Sequence, residues 1–340
     1  MSETATNPAE GEAERSRAIT ELAEELRGSD RFLLTTHEGP DGDALGSLLA
    51  MHNLLEQMGK DSVMFLAAKE FPLPVEYRFL ALTDVFHEAP ADVVDRTLLF
   101  LDCGNIDRMP VDFLQREGAR IVNVDHHHDN TRFGTLNVVD TQASCTAEIV
   151  WRLAKELGAE ITPEIANALY VGLITDTGMF MYENTGVEAH QMAGELIEAG
   201  VVVDEIFRRL YERVPFEKLR LMSRALDRVR SFDEGRLTIT YVSEQDYADT
   251  GASDGLTEGI IDFVRAIEGT IVAGVVRDKT DGGRAARKVS LRSSDGSVDV
   301  SAIARNHGGG GHRRAAGFGT DLPFDELVEE LRGEVAAQLD

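Results

Sequence analysis

The sequence predicts an α/β protein. An N-terminal domain with a mainly parallel sheet flanked by helices is followed by a smaller C-terminal α/β domain. Three observations predict it. Short apolar, β-branched runs alternate with segments of helical periodicity through the first half of the chain, which implies a largely parallel sheet with helices on both faces. Several of these segments end in an acidic or imidazole side chain, and ligands bind at the carboxyl ends of strands in open α/β sheets. The chain has 340 residues, 43% of them hydrophobic, which is long for one domain and comfortable for two.

Residues 1–15 are polar and acidic, and read as a disordered tail rather than a basic, apolar signal peptide. Arg31–Thr36 reads as a strand running into His37-Glu38-Gly39-Pro40-Asp41-Gly42-Asp43, where Gly39, Pro40 and Gly42 punctuate a tight turn. Ala44–Met58 has helical periodicity, with Leu45, Leu48, Leu49, Leu54, Leu55 and Met58 apolar. A strand at Thr97–Leu101 ends at Asp102, and one at Arg120–Val124 ends at Asp125-His126-His127. Ala143–Leu157 reads as a helix, and the apolar segment Ala168–Ile174 leads to Asp176. The first domain is therefore set at 16–186. Residues 187–230 are mostly helical, with a break near Val214-Pro215, and read as a connection. The second domain, 231–340, carries strands near Leu237–Val242, Thr270–Arg277 and Lys288–Ser293 and a closing helix at Phe324–Leu339. There are no internal repeats and no zinc-finger spacings.

A lone Asp after a strand is usually an N-cap or turn residue. The pattern His37-x₃-Asp41-x-Asp43, Asp102, Asp125-His126-His127, Asp176 is different, because it collects carboxylates and imidazoles where side chains converge. That combination suits Mn²⁺, Fe²⁺, Co²⁺ or Zn²⁺. Cys103 and Cys145 give no disulfide framework and read as small buried thiols, with a redox role for Cys103 as the alternative.

Sixty acidic residues stand against 34 basic ones, a net charge of −26, and only 6 of the basic residues are lysines. Such a surface resembles adaptation to molar salt, where screening shortens to ~3 Å, and it would repel long duplex DNA. Between Arg277 and Arg314 the balance inverts, with nine Lys/Arg and four Asp. Lys279, Arg284, Arg287, Lys288, Arg292, Arg305, Arg313 and Arg314 bracket the run Gly308–Gly311. A glycine run there lets backbone N–H groups approach phosphate oxygens, and segments Val298–Ile303 and Ala315–Phe318, apolar or strand-like, argue against a flexible linker. His312 adds a donor, and Arg292 a bidentate fork. No run approaches the ~18 apolar residues of a membrane span, so a cytoplasmic protein with no membrane partner is expected.

At these residues the chain resembles the DHH phosphoesterases. His37–Ser47, Asp102, Asp125-His126-His127 and Asp176 match the four motifs of the DHH domain. Lys288–Ser293 and Gly308–Phe318 match its companion DHHA1 domain, in the pairing of the NrnA-like branch (nanoRNase and pAp phosphatase). The resemblance covers Ile19 to the C-terminus. It implies two divalent cations, Mn²⁺ first among them. One is held by His37, Asp41 and Asp102, the other by Asp43, Asp102, His126 and Asp176, with Asp102 bridging. A hydroxide between the metals would attack phosphorus in line. His127 would contact the phosphate or assist proton transfer, Asp125 would orient a histidine, and Arg108 would neutralise a phosphate. Gly309, Gly310, Gly311, His312 and Arg292 would bind substrate across a cleft between the domains.

Asn130 stands where the motif has its Asn, so His128 reads as a bystander. Met181 stands where relatives commonly carry an arginine, which puts a substrate contact there in doubt, and Tyr182 is either a base-stacking or a core aromatic. The implied substrates are short RNA or DNA oligonucleotides, released as 5′-monophosphates, and 3′-phosphoadenosine 5′-phosphate. The alternatives are a cyclic or linear dinucleotide phosphodiesterase, a RecJ-like single-strand exonuclease and an inactive scaffold of a replication or repair complex. Against the scaffold stands the complete ligand set. Relatives often dimerise, although no coiled-coil stretch here demands a homodimer.

Overall fold

A parallel strand covered on both sides has no polar face to show, and Phe32-Leu33-Leu34, Leu98-Leu99-Phe100-Leu101 and Ile121-Val122-Asn123-Val124 are written that way. In the computed structural model, which describes residues 8–80, 82, 85–109, 111–212, 214–279 and 285–339, they form the middle of a six-stranded sheet. The chain divides into two units, Met1–Arg213 and Val214–Asp340.

The first unit begins with α1 (Pro8–Gly28), β1 (Arg31–Thr35), α2 (Gly42–Gln57), β2 (Asp61–Phe65), β3 (Val85–Phe86) and β4 (Thr97–Leu101). It continues with β5 (Ile121–Asp125), β6 (Leu136–Val139), α3 (Thr146–Leu157), α4 (Pro163–Asp176), α5 (Val187–Glu198) and α6 (Val203–Tyr211). The strand order is β3-β2-β1-β4-β5-β6, and every pairing is parallel. Strand order reverses between β1 and β4, so the carboxyl ends of these strands open the crevice where such folds bind ligands.

Alternate residues of the central strands serve two cores. Phe32, Leu34, Leu99, Leu101, Val122 and Val124 pack against the α-helices. Leu33, Leu98, Phe100 and Ile121 pack with Phe65, Met109 and Leu114 under 3₁₀ turns at Val93–Asp95, Ile106–Arg108 and Asp112–Leu114. Short turns thus stand on the second face where helices were expected, since the sequence joining β4 to β5 carries no helical periodicity.

Other boundaries also differ from the reading of the sequence. Helix α1 begins at Pro8, inside the stretch expected to be a disordered tail. Ile19, Leu22, Ala23 and Leu26 anchor its second half in the core. A helix once nucleated propagates over polar residues, here back to a proline, whose fixed φ suits a first helical position. Residues 1–7 lie outside the described residues. The segment 187–230 is not a separate connection: α5 and α6 bury Met192, Leu196 and Ile206 in the first unit's core. The next helix packs its Leu221 and Ala225 into the second unit. The apolar segment Ala168–Ile174 is the interior of helix α4.

The second unit runs α7 (Phe216–Asp227), β7 (Arg230–Phe232), β8 (Leu237–Val242), α8 (Glu244–Thr250), α9 (Ile260–Arg265) and β9 (Val272–Asp278). Then follow β10 (Arg287–Ser293), α10 (Val300–Asn306), β11 (Gly310–His312), β12 (Ala315–Thr320) and α11 (Phe324–Leu339). Its sheet has the order β11-β12-β10-β9-β8-β7, antiparallel except for β8 beside β9. Val276, Val289, Leu291 and Phe318 pack against α10 and α11 on one face, and Ala273 and Val275 join Leu221, Ile260 and Val264 on the other. Val298–Ile303 leads into helix α10, capped by Asp299, whose Oδ1 accepts from Ser301 N at 2.9 Å and Ala302 N at 3.1 Å. Among the described residues no helix is long and apolar enough to cross a membrane.

Candidate metal centre

The carboxyl ends of β1, β4 and β5 deliver His37, Asp102 and Asp125, all buried. Asp41 caps α2: its Oδ1 accepts from Asp43 N and Ala44 N, each at 3.1 Å. That fixes the first helical turn and points Asp43 inward. Asp43 then meets the N-terminus of α3, accepting from Thr146 N at 2.6 Å and Ala147 N at 2.9 Å, with Ser47 Oγ at 3.2 Å. The unpaired N–H groups of a helix start are a natural seat for a carboxylate. Asp102 follows β4 with φ 55°, a left-handed conformation uncommon outside glycine. Thr146 Oγ1 donates to its Oδ1 at 3.1 Å. Asp176 is the last residue of α4, and Asn184 Nδ2 donates to its Oδ2 at 3.3 Å and to Ser144 O at 2.8 Å.

The six residues expected as ligands fall into two sets. His37, Asp41 and Asp102 offer ligand atoms all within 4.8 Å of one another, and so do Asp43, His126 and Asp176. Asp102 stands between them: its Oδ2 lies 3.6 Å from His37 Nε2 and its Oδ1 3.7 Å from His126 Nε2. His126 Nε2 is 3.6 Å from Asp176 Oδ2. These separations are too long for hydrogen bonds. They suit two atoms sharing a cation at bond lengths of ~2.0–2.2 Å.

Asp125 plays another part. Its Oδ1 is 2.7 Å from His127 Nδ1, and its Oδ2 accepts from Asn130 Nδ2 at 2.5 Å. One oxygen thus holds His127 and the other is held by Asn130; His127 Nδ1 is also 3.6 Å from Asp102 Oδ1.

The electrostatics describe a place short of positive charge. Burial, then Asp102 and Asp176, push the Asp43 carboxyl well above its ordinary range. Burial chiefly lifts Asp176 to about 7, and burial followed by Asp102 raises Asp41. Asp102 stays low despite its burial, because His37, His126 and His127 surround it. The same partners hold protons on the imidazoles. Burial lowers His127, but Asp125 and Asp102 carry it to about 9, and Asp102 raises His37. Asp176 and Asp102 raise His126 against burial. Divalent cations would relieve this crowding of carboxylates.

Arg108, exposed on the turn after β4, depresses the proton affinity of His37 and His127 by its charge, so it faces the same place. Cys103 is free and buried, and burial pushes its thiol up to about 12, which removes the thiolate a redox role needs.

In the second unit, strand register aligns Arg292 of β10 with Ala315 of β12, and Ala315 with His312 of β11. Arg292 donates to Leu291 O at 3.1 Å and has no carboxylate partner among the described residues. The glycine run is a tight connection. Gly309 N donates to Ala304 O at 2.8 Å, and a Cβ on Gly309 would stand 2.2 Å from Gly317 O. Gly309 therefore packs and has its N–H engaged, whereas Gly310 has open space beside it. Arg313 and Arg314 hold the carbonyls of Gly296 and Asp295, and Arg284 lies outside the described residues.

Thr146 and Asn184 were missed in the sequence. A hydroxyl residue at the start of α3 was the signal for Thr146; Asn184 carried none.

The DHH family, N-terminal domain, matches residues 31–173, and the DHHA1 domain matches residues 234–339. A bifunctional oligoribonuclease and PAP phosphatase NrnA from Thermus thermophilus is 34% identical over 332 residues, covering 95% of each chain. The chain belongs to the DHH/DHHA1 phosphoesterase family. Within it the NrnA of Bacillus subtilis is 26% identical, over 88% of this chain and 92% of its own. The crystal structure of an exopolyphosphatase-related protein from Bacteroides fragilis has the same fold, with a TM-score of 0.86 at 23% identity, covering 95% of this chain and 96% of its own. DHH phosphoesterases use divalent metals, and the paired ligand sets above occupy the DHH domain.

Proposed function

We propose that this chain is a metal-dependent phosphoesterase that hydrolyses short oligonucleotides to 5′-monophosphates, and 3′-phosphoadenosine 5′-phosphate, with two divalent cations, Mn²⁺ foremost. The observation that carries the reading is the pair of three-residue ligand sets meeting at Asp102, in a chain 34% identical to a bifunctional oligoribonuclease and PAP phosphatase. His37, Asp41 and Asp102 would hold one cation, and Asp43, Asp102, His126 and Asp176 the other. When bound, such a pair acidifies water and neutralises the attacking and leaving oxygens of an in-line displacement.

The remaining roles belong to the chain's own groups. Asp125 fixes His127 through Nδ1, and the imidazole so held would contact a phosphate oxygen. Burial lowers the imidazole's proton affinity, but Asp125 and Asp102 raise it, which favours His127 as a donor. Arg108 adds a cation beside it; in the second unit, Arg292 and His312 would offer donors to phosphate. Both cysteines are free, in keeping with work in the cytoplasm.

The test is product formation from a 5′-labelled diribonucleotide with and without Mn²⁺, beside Asp102→Ala. Monophosphate that needs both the metal and Asp102 is the expected result. Turnover that survives in Asp102→Ala would sink the reading.

A further inference from the structure

The face of β10 turned away from α10 and α11 holds a second cation that the proposed phosphate contacts leave unused. Along this strand Val289, Leu291 and Ser293 are buried, so Lys288, Ser290 and Arg292 point to the opposite side. Register places Gly319 beside Lys288, Gly317 beside Ser290 and Ala315 beside Arg292, and then Gly310 beside Gly317 and His312 beside Ala315. Three of those five neighbours are glycine, so this side of β10-β12-β11 is a shallow floor with few side chains.

The cations flank that floor. Lys288 is exposed and makes no ion pair or hydrogen bond among the described residues. Partial desolvation, then Arg277, lowers its proton affinity, with Asp254 and Glu258 opposing. In a chain of net charge −26, two cations without carboxylate partners among the described residues, Lys288 and Arg292, beside bare backbone are complementary to an anionic polymer. Four residues of strand separate Lys288 from Arg292, or ~13 Å at ~3.3 Å per residue. That backbone spacing matches phosphates two nucleotides apart better than adjacent ones.

We propose that the β10-β12-β11 face is a backbone trough for single-stranded oligonucleotides, in which Arg292 takes one phosphate and Lys288 the phosphate two nucleotides along. Lys288 thereby favours chains of three or more nucleotides over dinucleotides and nucleoside bisphosphates. This rests on the proposed phosphoesterase reading, which supplies the substrate class.

The experiment compares wild type, Lys288→Ala and Lys288→Arg on 3′-phosphoadenosine 5′-phosphate, a 5′-phosphorylated diribonucleotide and a pentaribonucleotide. Lys288→Ala is expected to raise KM for the pentanucleotide roughly three- to tenfold with kcat kept, and Lys288→Arg to restore it. The rise should be absent with the two shorter substrates. In parallel, anisotropy of a fluorescein-labelled pentaribonucleotide in EDTA reads binding without turnover. There the slope of log Kd against log salt should fall by about 0.7 in Lys288→Ala, the loss of one single-strand phosphate contact. Equal effects on all three substrates, or none on pentanucleotide binding, would overturn the trough. Should wild type hydrolyse nothing while binding still depends on Lys288, the trough stands and the phosphoesterase reading fails.

Discussion

Gly172 sits where α4 passes the first turn of α2, and replacing it by alanine tests the metal centre without replacing a ligand. A Cβ at this position would stand 2.7 Å from Ala147 Cβ, 2.8 Å from Asp43 Oδ1 and 3.3 Å from Asp43 Cα. Ordinary contact is ~3.5–4.0 Å, so the neighbours must give by about 0.7–1 Å. None is free to do so: Asp43 is tied to the backbone of α3 by two bonds, and Ala147 is fully buried. Overpacking of this kind costs ~1–3 kcal/mol. For a unit of this size that is a fall in Tm of roughly 2–12 °C. Whatever relaxation occurs moves Asp43, and a displacement of ~1 Å near the chemistry can cost ~100-fold in rate. Differential scanning calorimetry and kcat on the diribonucleotide read both effects. Gly194→Ala, on α5 with open space at its Cβ, is the control and should change neither. A Gly172→Ala protein with wild-type Tm and kcat would refute the claim that the helix crossing sets the position of Asp43.

Three further outcomes are expected. Protein stripped with EDTA and dialysed should gain stability on adding Mn²⁺, by about 2.7 kcal/mol at a hundredfold excess over Kd, and a flat thermal titration would contradict the ligand sets. Asn130→Ala leaves Asp125 Oδ2 without its 2.5 Å donor and should lower activity ~10–100-fold while bound metal, measured by atomic emission, is retained. Asp246 is buried and bonded to Arg228, Ser243 and Arg224, and although burial opposes it, these partners hold its carboxyl below the ordinary range. Because its folded pKa is depressed, its contribution is complete above ~3.9 and is lost as pH falls through the folded value. Asp246→Asn should therefore unfold in less urea than wild type at pH 7, and the gap should close in acid.

Strand ends were legible because a buried parallel strand must be a continuous apolar run, and a charged residue closing such a run has to serve something. His37, Asp102 and Asp125 were found that way. The interior of α4 was not assigned, since an apolar run of its length fits a buried strand and a buried helix alike. Its placement depends on Gly46 and Gly172, whose meaning appears only once two helices cross. Asn184 holds Asp176 from eight residues downstream across a turn with Met179 and Phe180 at positive φ, a conformation no local pattern announces. Helix α10 is a different case. The Asp299-x-Ser301 start was a readable cap, and the apolar spacing of Val298, Val300 and Ile303 obscured it.

The acidity of the chain and the proposed substrate fit one electrostatic argument. Asp41, Asp43, Asp102 and Asp176 crowd against three imidazoles and one helix N-terminus, which is too little positive charge to keep all four ionised. Cations would complete the centre, and once present they would draw a phosphate that the outer surface repels. That repulsion grows with the number of phosphates brought near the protein. A long strand meets it along its whole length, and a substrate of a few nucleotides meets it briefly. On the proposed reading, the few local cations proposed as phosphate contacts would suffice for the short chain and be too few for the long one. Selectivity for short substrates would then need no wall to exclude polymers, because the surface charge would discriminate by length.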